Sequence, residues 1–143
     1  MRFMMILRGD ARTEAGVLPT EQDLATMAKY NEELVKAGVM LDGGGLKPTS
    51  EGARVTFSGG KVKVTDGPFT ESKELIAGYW IIQVKSKEEA IEWARRVPFH
   101  MVPQVEGEAQ IELRPFFELE DFPQGEAVQQ HARLQEEMAQ RKS

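Results

Sequence analysis

The sequence predicts a single α+β domain, and three observations predict it. Residues 2–8 (RFMMILR) and 78–84 (GYWIIQV) are apolar on both faces, as strands covered on both sides of a sheet are. Each is followed by a stretch with apolar residues at helical spacing. Between them, 53–58 (ARVTFS) and 61–65 (KVKVT) alternate apolar and polar around Gly59-Gly60, a hairpin signal.

In chain order, the strand at 2–8 leads into a predicted loop at 9–19 with Gly9, Gly16 and Pro19. Thr20 caps a helix, with Asp23 at the third position in a capping-box variant. Leu24, Met27, Ala28, Leu34 and Val35 mark its apolar stripe, Tyr30 sits at the stripe's border, and Gly38 ends it. Val39-Met40-Leu41 begins a second strand that Gly43-Gly44-Gly45 interrupts. No helix follows those glycines, which argues against a phosphate loop and for a bulge or a close approach of backbone to a ligand or partner. Beyond the hairpin and the strand at 78–84, Ser86 and Glu89 form an S-x-x-E capping box. Ala90, Ile91, Ala94 and Val97 form the buried stripe of this helix, Trp93 flanks it, and Pro98 stops it. Residues 99–108 read as a loop. In 109–114, Ala109, Ile111 and Leu113 point inward while Gln110, Glu112 and Arg114 point outward. Residues 126–141 read as a polar C-terminal helix with Val128, Leu134 and Met138 as sparse anchors. The order β-α-β-(β-hairpin)-β-α-β is that of a ferredoxin-like split βαβ with an inserted β-hairpin, whose first and third core strands lie centrally. The domain is expected over 1–120, with a polar helical tail over 121–143.

Composition narrows the function classes. The net charge of −5 gives no basic footprint for nucleic acid. With no cysteine, disulfides, thiolate catalysis and Cys-based zinc sites are excluded, and a cytoplasmic location is the expectation. Two unclustered histidines, His100 and His131, make a poor transition-metal set, and no cofactor is implied. The first apolar run is too short for a signal sequence, and no segment is long enough to span a membrane.

The chemistry concentrates at 64–80 (VTDGPFTESKELIAGYW). Asp66-Gly67-Pro68 is a chain reversal, and the charges of Asp66, Glu71, Lys73 and Glu74 are packed just ahead of a buried strand. Carboxylates in differing environments can divide acid and base roles, which makes Asp66, Glu71 and Lys73 the catalytic candidates. A capped turn with solvated ion pairs is the alternative. Tyr30, Phe69, Glu74 and Arg114 are candidate ligand contacts: a phenolic hydroxyl, an aromatic face, an acceptor and a guanidinium able to grip a carboxylate. Each has a plainer role in packing or ion pairing. His100, with no acid at a fixed spacing, reads as a packing or surface residue. Tyr79, Trp80 and Trp93 either line an apolar cleft or belong to the core, the core being favoured for Trp93.

The run D-G-P-F-T-E-S-K-E-L at 66–75, with G-Y-W at 78–80, E-A-I-E-W-A at 89–94, Pro98 and I-E-L-R-P at 111–115, resembles the YCII-related, DGPF-domain family over roughly residues 1–120. The resemblance implies a dimeric α/β barrel built from two ferredoxin-like subunits, and no assigned reaction. Some members look like accessories of sigma-factor-dependent transcription. Related proteins have been thought to use a His–Asp pair, whereas the first helix here holds no histidine. The expectation is a small-molecule-binding protein or enzyme with a polar pocket at the motif, the alternative being a non-catalytic regulatory dimer. A homodimer also follows without the family. Right-handed crossovers put both helices on one side of the sheet, which leaves the opposite apolar face for a second copy.

Overall fold

The computed structural model describes residues 1–69, 75–105 and 107–142. The catalytic candidates Glu71 and Lys73, and the ligand candidate Glu74, lie outside the described residues.

The first strand, β1 (Arg2–Arg8), runs where its pattern puts it. The loop predicted at 9–19 is corrected: it contains a short helix, α1 (Ala11–Glu14). Asp10 starts it, its carboxylate accepting from Thr13 N–H at 2.9 Å while Thr13 Oγ1 accepts from Asp10 N–H at 2.8 Å. The same reciprocal capping joins Thr20 and Asp23 at the head of α2 (Glu21–Lys36), both bonds measuring 3.1 Å. Beyond α2, Gly38 adopts φ 72°, the left-handed conformation that ends a helix without a Cβ clash.

Next, β2 (Met40–Gly45) corrects the expectation of an interrupted strand, because the three glycines continue its pairing. A register shift between Met40 and Asp42 supplies the bulge. The hairpin β3 (Ala53–Ser58) and β4 (Lys61–Asp66) turns at Gly59 and Gly60, with φ 58° and 77°, which suits a two-residue loop needing two positive φ values. After β5 (Ile76–Gln83) comes α3 (Lys87–Arg95), where the S-x-x-E box forms only in half. Ser86 Oγ accepts from Glu89 N–H at 3.1 Å, but the Glu89 carboxylate accepts from Lys85 N–H at 2.8 Å instead of from Ser86. The predicted loop at 99–108 holds a 3₁₀ turn (Phe99–Met101) and the paired segments β6 (Gln104–Val105) and β7 (Glu108–Ala109). The chain closes with β8 (Ile111–Pro115) and the tail helix α4 (Glu126–Lys142), which buries no residue.

The architecture is mixed α+β. Four strands form an antiparallel sheet in the order β2-β5-β1-β8, β3 pairs only with β4, and no closed barrel forms among the described residues. The register sorts the sheet into two faces. Phe3 opposes Ile82, and Met5 opposes Trp80 and Leu113; these side chains face α2 and α3. There Phe3, Met5, Leu34 and Ile82 are at most 2% exposed, each such burial contributing about 1.5–3 kcal/mol. The alternate residues Met4, Ile6, Tyr79 and Ile81 form the other face and are half-buried.

The helix stripe needs correction. Leu24, Ala28 and Val35 are exposed, while Tyr30, expected at the border, lies in the core at 3%. The Tyr30 hydroxyl donates to the Trp93 carbonyl at 2.7 Å, so the ring can enter the core without stranding its polar end. Trp93, expected to flank α3, is likewise buried beside Ala90.

Candidate functional site

The helix-side face of the sheet loses its side chains at one end. Gly45 on β2 lies opposite Gly78 on β5, and Gly43 lies opposite Trp80, so three glycines adjoin on the face that α2 covers. A Cβ at Gly43 would come within 3.3 Å of Trp80 Cδ1 and 2.9 Å of Met40 Cε. The glycine lets the indole lie close over β2. Above this floor lies a cleft of about 1110 Å³, lined on the helix side by Asp23, Leu24, Met27 and Asn31 of α2. Leu7, Met27, Met40 and Trp80 give it apolar walls, with Asn31 of α2 beside the indole. Asp10, Arg12, Lys47, Glu51 and His100 stand around it, and Val17, Leu18, Leu24 and Leu46 form an exposed apolar rim. The 3₁₀ turn after Pro98 is what brings the exposed His100 to the cleft.

The Asp-Gly-Pro turn sits at the edge of this wall. Gly67 N–H donates to the Gly52 carbonyl at 3.0 Å, and Phe69 N–H donates to Thr49 Oγ1 at 3.0 Å. A Cβ on Gly67 would collide with the Thr49 carbonyl, so only glycine seats the turn here. Thr49 in turn donates through its N–H to Glu14 Oε1 at 2.7 Å and through its hydroxyl to Glu14 Oε2. The hydroxyl bond, then the N–H bond, hold the Glu14 carboxyl below the usual carboxylate range. One threonine thus ties the motif's turn to α1, between the cleft residues Pro48 and Glu51.

The predicted site residues separate. Asp66 is exposed at the end of β4, opposite Ala53, and its carboxylate makes no hydrogen bond among the described residues. Phe69 is half-buried under the Arg54 guanidinium, 4.0 Å from its ring centroid. Tyr30 does not line the cleft; its hydroxyl is spent on Trp93, and burial pushes the phenol far above the usual tyrosine range. Arg114 is exposed on the opposite sheet face, across from Met4 and 3.5 Å from Glu112. Of the residues read as cleft or core, Trp80 is both, Tyr79 borders the cleft from a position whose side chain belongs to the other sheet face, and Trp93 is core.

Sequence reasoning missed Asn31, Asp10 and the role of Gly78. The triple glycine carried the one available signal, a close backbone approach, but not which element would fill the space. No group of three His, Cys, Asp or Glu side chains is placed to hold a metal among the described residues. Among the described residues no helix is long and apolar enough to cross a membrane.

The family model of the YCII-related domain matches residues 1–111. An uncharacterized protein of Rhizobium meliloti (strain 1021), R00369, is 33% identical over 75 residues, which are 52% of this chain and 60% of that protein. The chain therefore spans about three fifths of that relative's length. Among solved structures, a 5-chloro-2-hydroxyhydroquinone dehydrochlorinase (TftG) from Burkholderia phenoliruptrix AC1100, in complex with 2,5-dihydroxybenzoquinone, is similar at a TM-score of 0.42 and 13% identity. That likeness covers 82% of this chain and 94% of the other, and is too distant to transfer chemistry.

Proposed function

The chain belongs to the YCII-related family, and from that premise we propose that it binds a small molecule in the cleft over Gly43, Gly45 and Gly78. One observation carries the reading: the cleft between helix and sheet lies over three glycines that bring no side chain to it, and there an indole wall meets polar groups. Asp66, Glu71, Lys73 and Glu74 remain the candidates for its charged edge. The turn they follow is seated on Thr49, and the chain returns at Leu75, whose carbonyl accepts from Gly9 N–H at 2.9 Å, one residue from Asp10 of the cleft. A thermal-shift screen against metabolites, run on the native chain and on Gly78→Leu, tests the reading. A ligand that raises the melting temperature of the first and not of the second supports it, because only binding to the native state stabilises. Equal shifts would place the ligand elsewhere.

We further propose a ferredoxin-like split βαβ subunit paired into a homodimer through the face of Met4, Ile6, Tyr79 and Ile81. The strand order β2-β5-β1-β8 with antiparallel pairing supports the subunit plan. Surface area supports the dimer. A folded monomer of 16.1 kDa is expected to expose roughly 7,400 Å², whereas this chain exposes 10732 Å². The excess includes the uncovered hairpin, α4 and exposed apolar side chains, surface available to a second copy. In this reading Arg114 and Glu112, flanking Met4 and Ile6, serve the subunit interface and not the cleft. Light scattering should give about twice the chain mass; a persistent 16.1 kDa species on concentrating the sample would remove the dimer.

A further inference from the structure

One polar group in the cleft has a fixed aim. Trp80 Nε1–H donates to Asn31 Oδ1 at 2.8 Å. An indole nitrogen is a donor only, so the atom facing it is the amide oxygen and the NH₂ takes the other branch. Turning the amide over would set N–H against N–H. Asn31 is half-buried and lines the cleft, and its NH₂ makes no hydrogen bond among the described residues. The indole that fixes it is itself held. The Tyr30 ring meets it edge-on, 5.7 Å between centroids at 78°, and Gly43 lets it lie against β2. Tyr30 is anchored by its bond to the Trp93 carbonyl. Two donor hydrogens therefore stand preoriented beside an aromatic face, with Leu7, Met27 and Met40 around them.

Charge in the cleft limits what those donors meet. The carboxylates Asp10, Asp23 and Glu51 outnumber the cations Arg12 and Lys47, and Lys47 is paired with Glu51 at 3.6 Å. An anionic ligand would enter against that balance and find no cluster of cations among the described residues. An uncharged acceptor meets no such cost.

We propose that the cleft takes an uncharged, largely apolar molecule carrying a carbonyl oxygen, and that the Asn31 NH₂ donates to that oxygen. This rests on the reading of the cleft as the binding site, and the test separates the two. The full chain is followed by ¹⁵N-correlated NMR during titration with acetophenone and, separately, with ethylbenzene, which matches its shape but lacks the acceptor. Both probes are expected to move the Trp80 indole N–H signal, and acetophenone alone the Asn31 NH₂ pair. Acetophenone should bind about 3- to 10-fold more tightly, the worth of one ordinary hydrogen bond. Asn31→Asp keeps an oxygen for Trp80 and removes the donors, and should erase that ratio. Equal affinities, with the Asn31 NH₂ pair unmoved while the Trp80 signal responds, would overturn the role of Asn31 and leave the cleft standing. No response of Trp80 to either probe would overturn both. If Asn31→Asp does not fold, the affinity ratio and the NH₂ shift of the native chain decide alone.

Discussion

Phe3 and Phe57 are the same residue in strands of similar length, yet Phe3 is 2% exposed and Phe57 is 77% exposed. Phe3 lies on β1 beneath two helices. Phe57 lies on the hairpin, opposite Val62, with Val55 opposite Val64 beside it, so four large apolar side chains share one uncovered face of a two-stranded ribbon. The other face carries Arg54, Thr56, Lys61 and Lys63. Alternation made both segments strands; burial came only to the one with a neighbour on its apolar side. A two-stranded ribbon is marginal by itself, and the hairpin's stripe adds exposed apolar surface beyond the sheet face proposed to meet a second copy.

The sharpest way to test this contrast is to remove the same kind of contact from each region. Phe3→Ala should cost about 3–5 kcal/mol in denaturant unfolding, because a cavity opens in a filled core. A loss under about 1 kcal/mol would mean the helix side is looser than its burial says.

Phe57→Lys should leave the chain's secondary structure unchanged while weakening self-association about tenfold or more, read as the concentration dependence of mass in sedimentation. Unchanged association with this variant would take the hairpin out of the dimer and leave the sheet face to explain it.

Tyr30→Phe should cost about 1 kcal/mol, since it removes the buried bond to the Trp93 carbonyl, which keeps its bond from Arg96 N–H, while the ring's packing stays. The pH dependence has a definite sign. Burial raises the folded-state pKa of Tyr30 above its unfolded value, so its contribution is fully present below pH ~10 and is lost as pH rises beyond it, when the unfolded phenol ionises first. Tyr30→Phe should flatten that alkaline loss. On the acid side, NMR titration should find the Glu14 carboxyl below the ordinary range, and Thr49→Val, which removes the hydroxyl bond and keeps the N–H bond, should move it part of the way back. Glu14 acts with the opposite sign: its contribution is present above the unfolded carboxyl pKa and is lost as pH falls through the lower folded one.

The smallest effect belongs to the tail. α4 buries nothing, and deleting residues 126–143 should change the stability of the isolated subunit by less than about 0.5 kcal/mol. A larger loss would show that α4 packs on its own subunit; weaker self-association on deletion would instead show docking on a partner subunit, the alternative its sparse apolar positions allow.

By itself the sequence determined the strands and both main helices, since alternation, helical spacing, Thr20, Ser86 and Gly38 all act within a few residues of themselves. It also determined that the chain reverses at Asp-Gly-Pro, while the seat of that turn on Thr49 and Gly52 is tertiary. The two faces of the sheet were legible as patterns, but which apolar side chain would be covered was not. Leu24 obeys the helical spacing and is exposed at the rim of the cleft, and Val35 is exposed although its neighbour Leu34 is fully buried; Tyr30, read at the stripe's border, is buried, with its hydroxyl received by the Trp93 carbonyl. The cleft is a tertiary product throughout. Gly43, Gly45 and Gly78 are far apart in sequence from Asn31 and His100, and only strand register and the path of the 99–103 segment bring them together. A residue's propensity is a local property that the sequence displays, whereas a cavity is an absence shared among elements, and it exists only once they have packed.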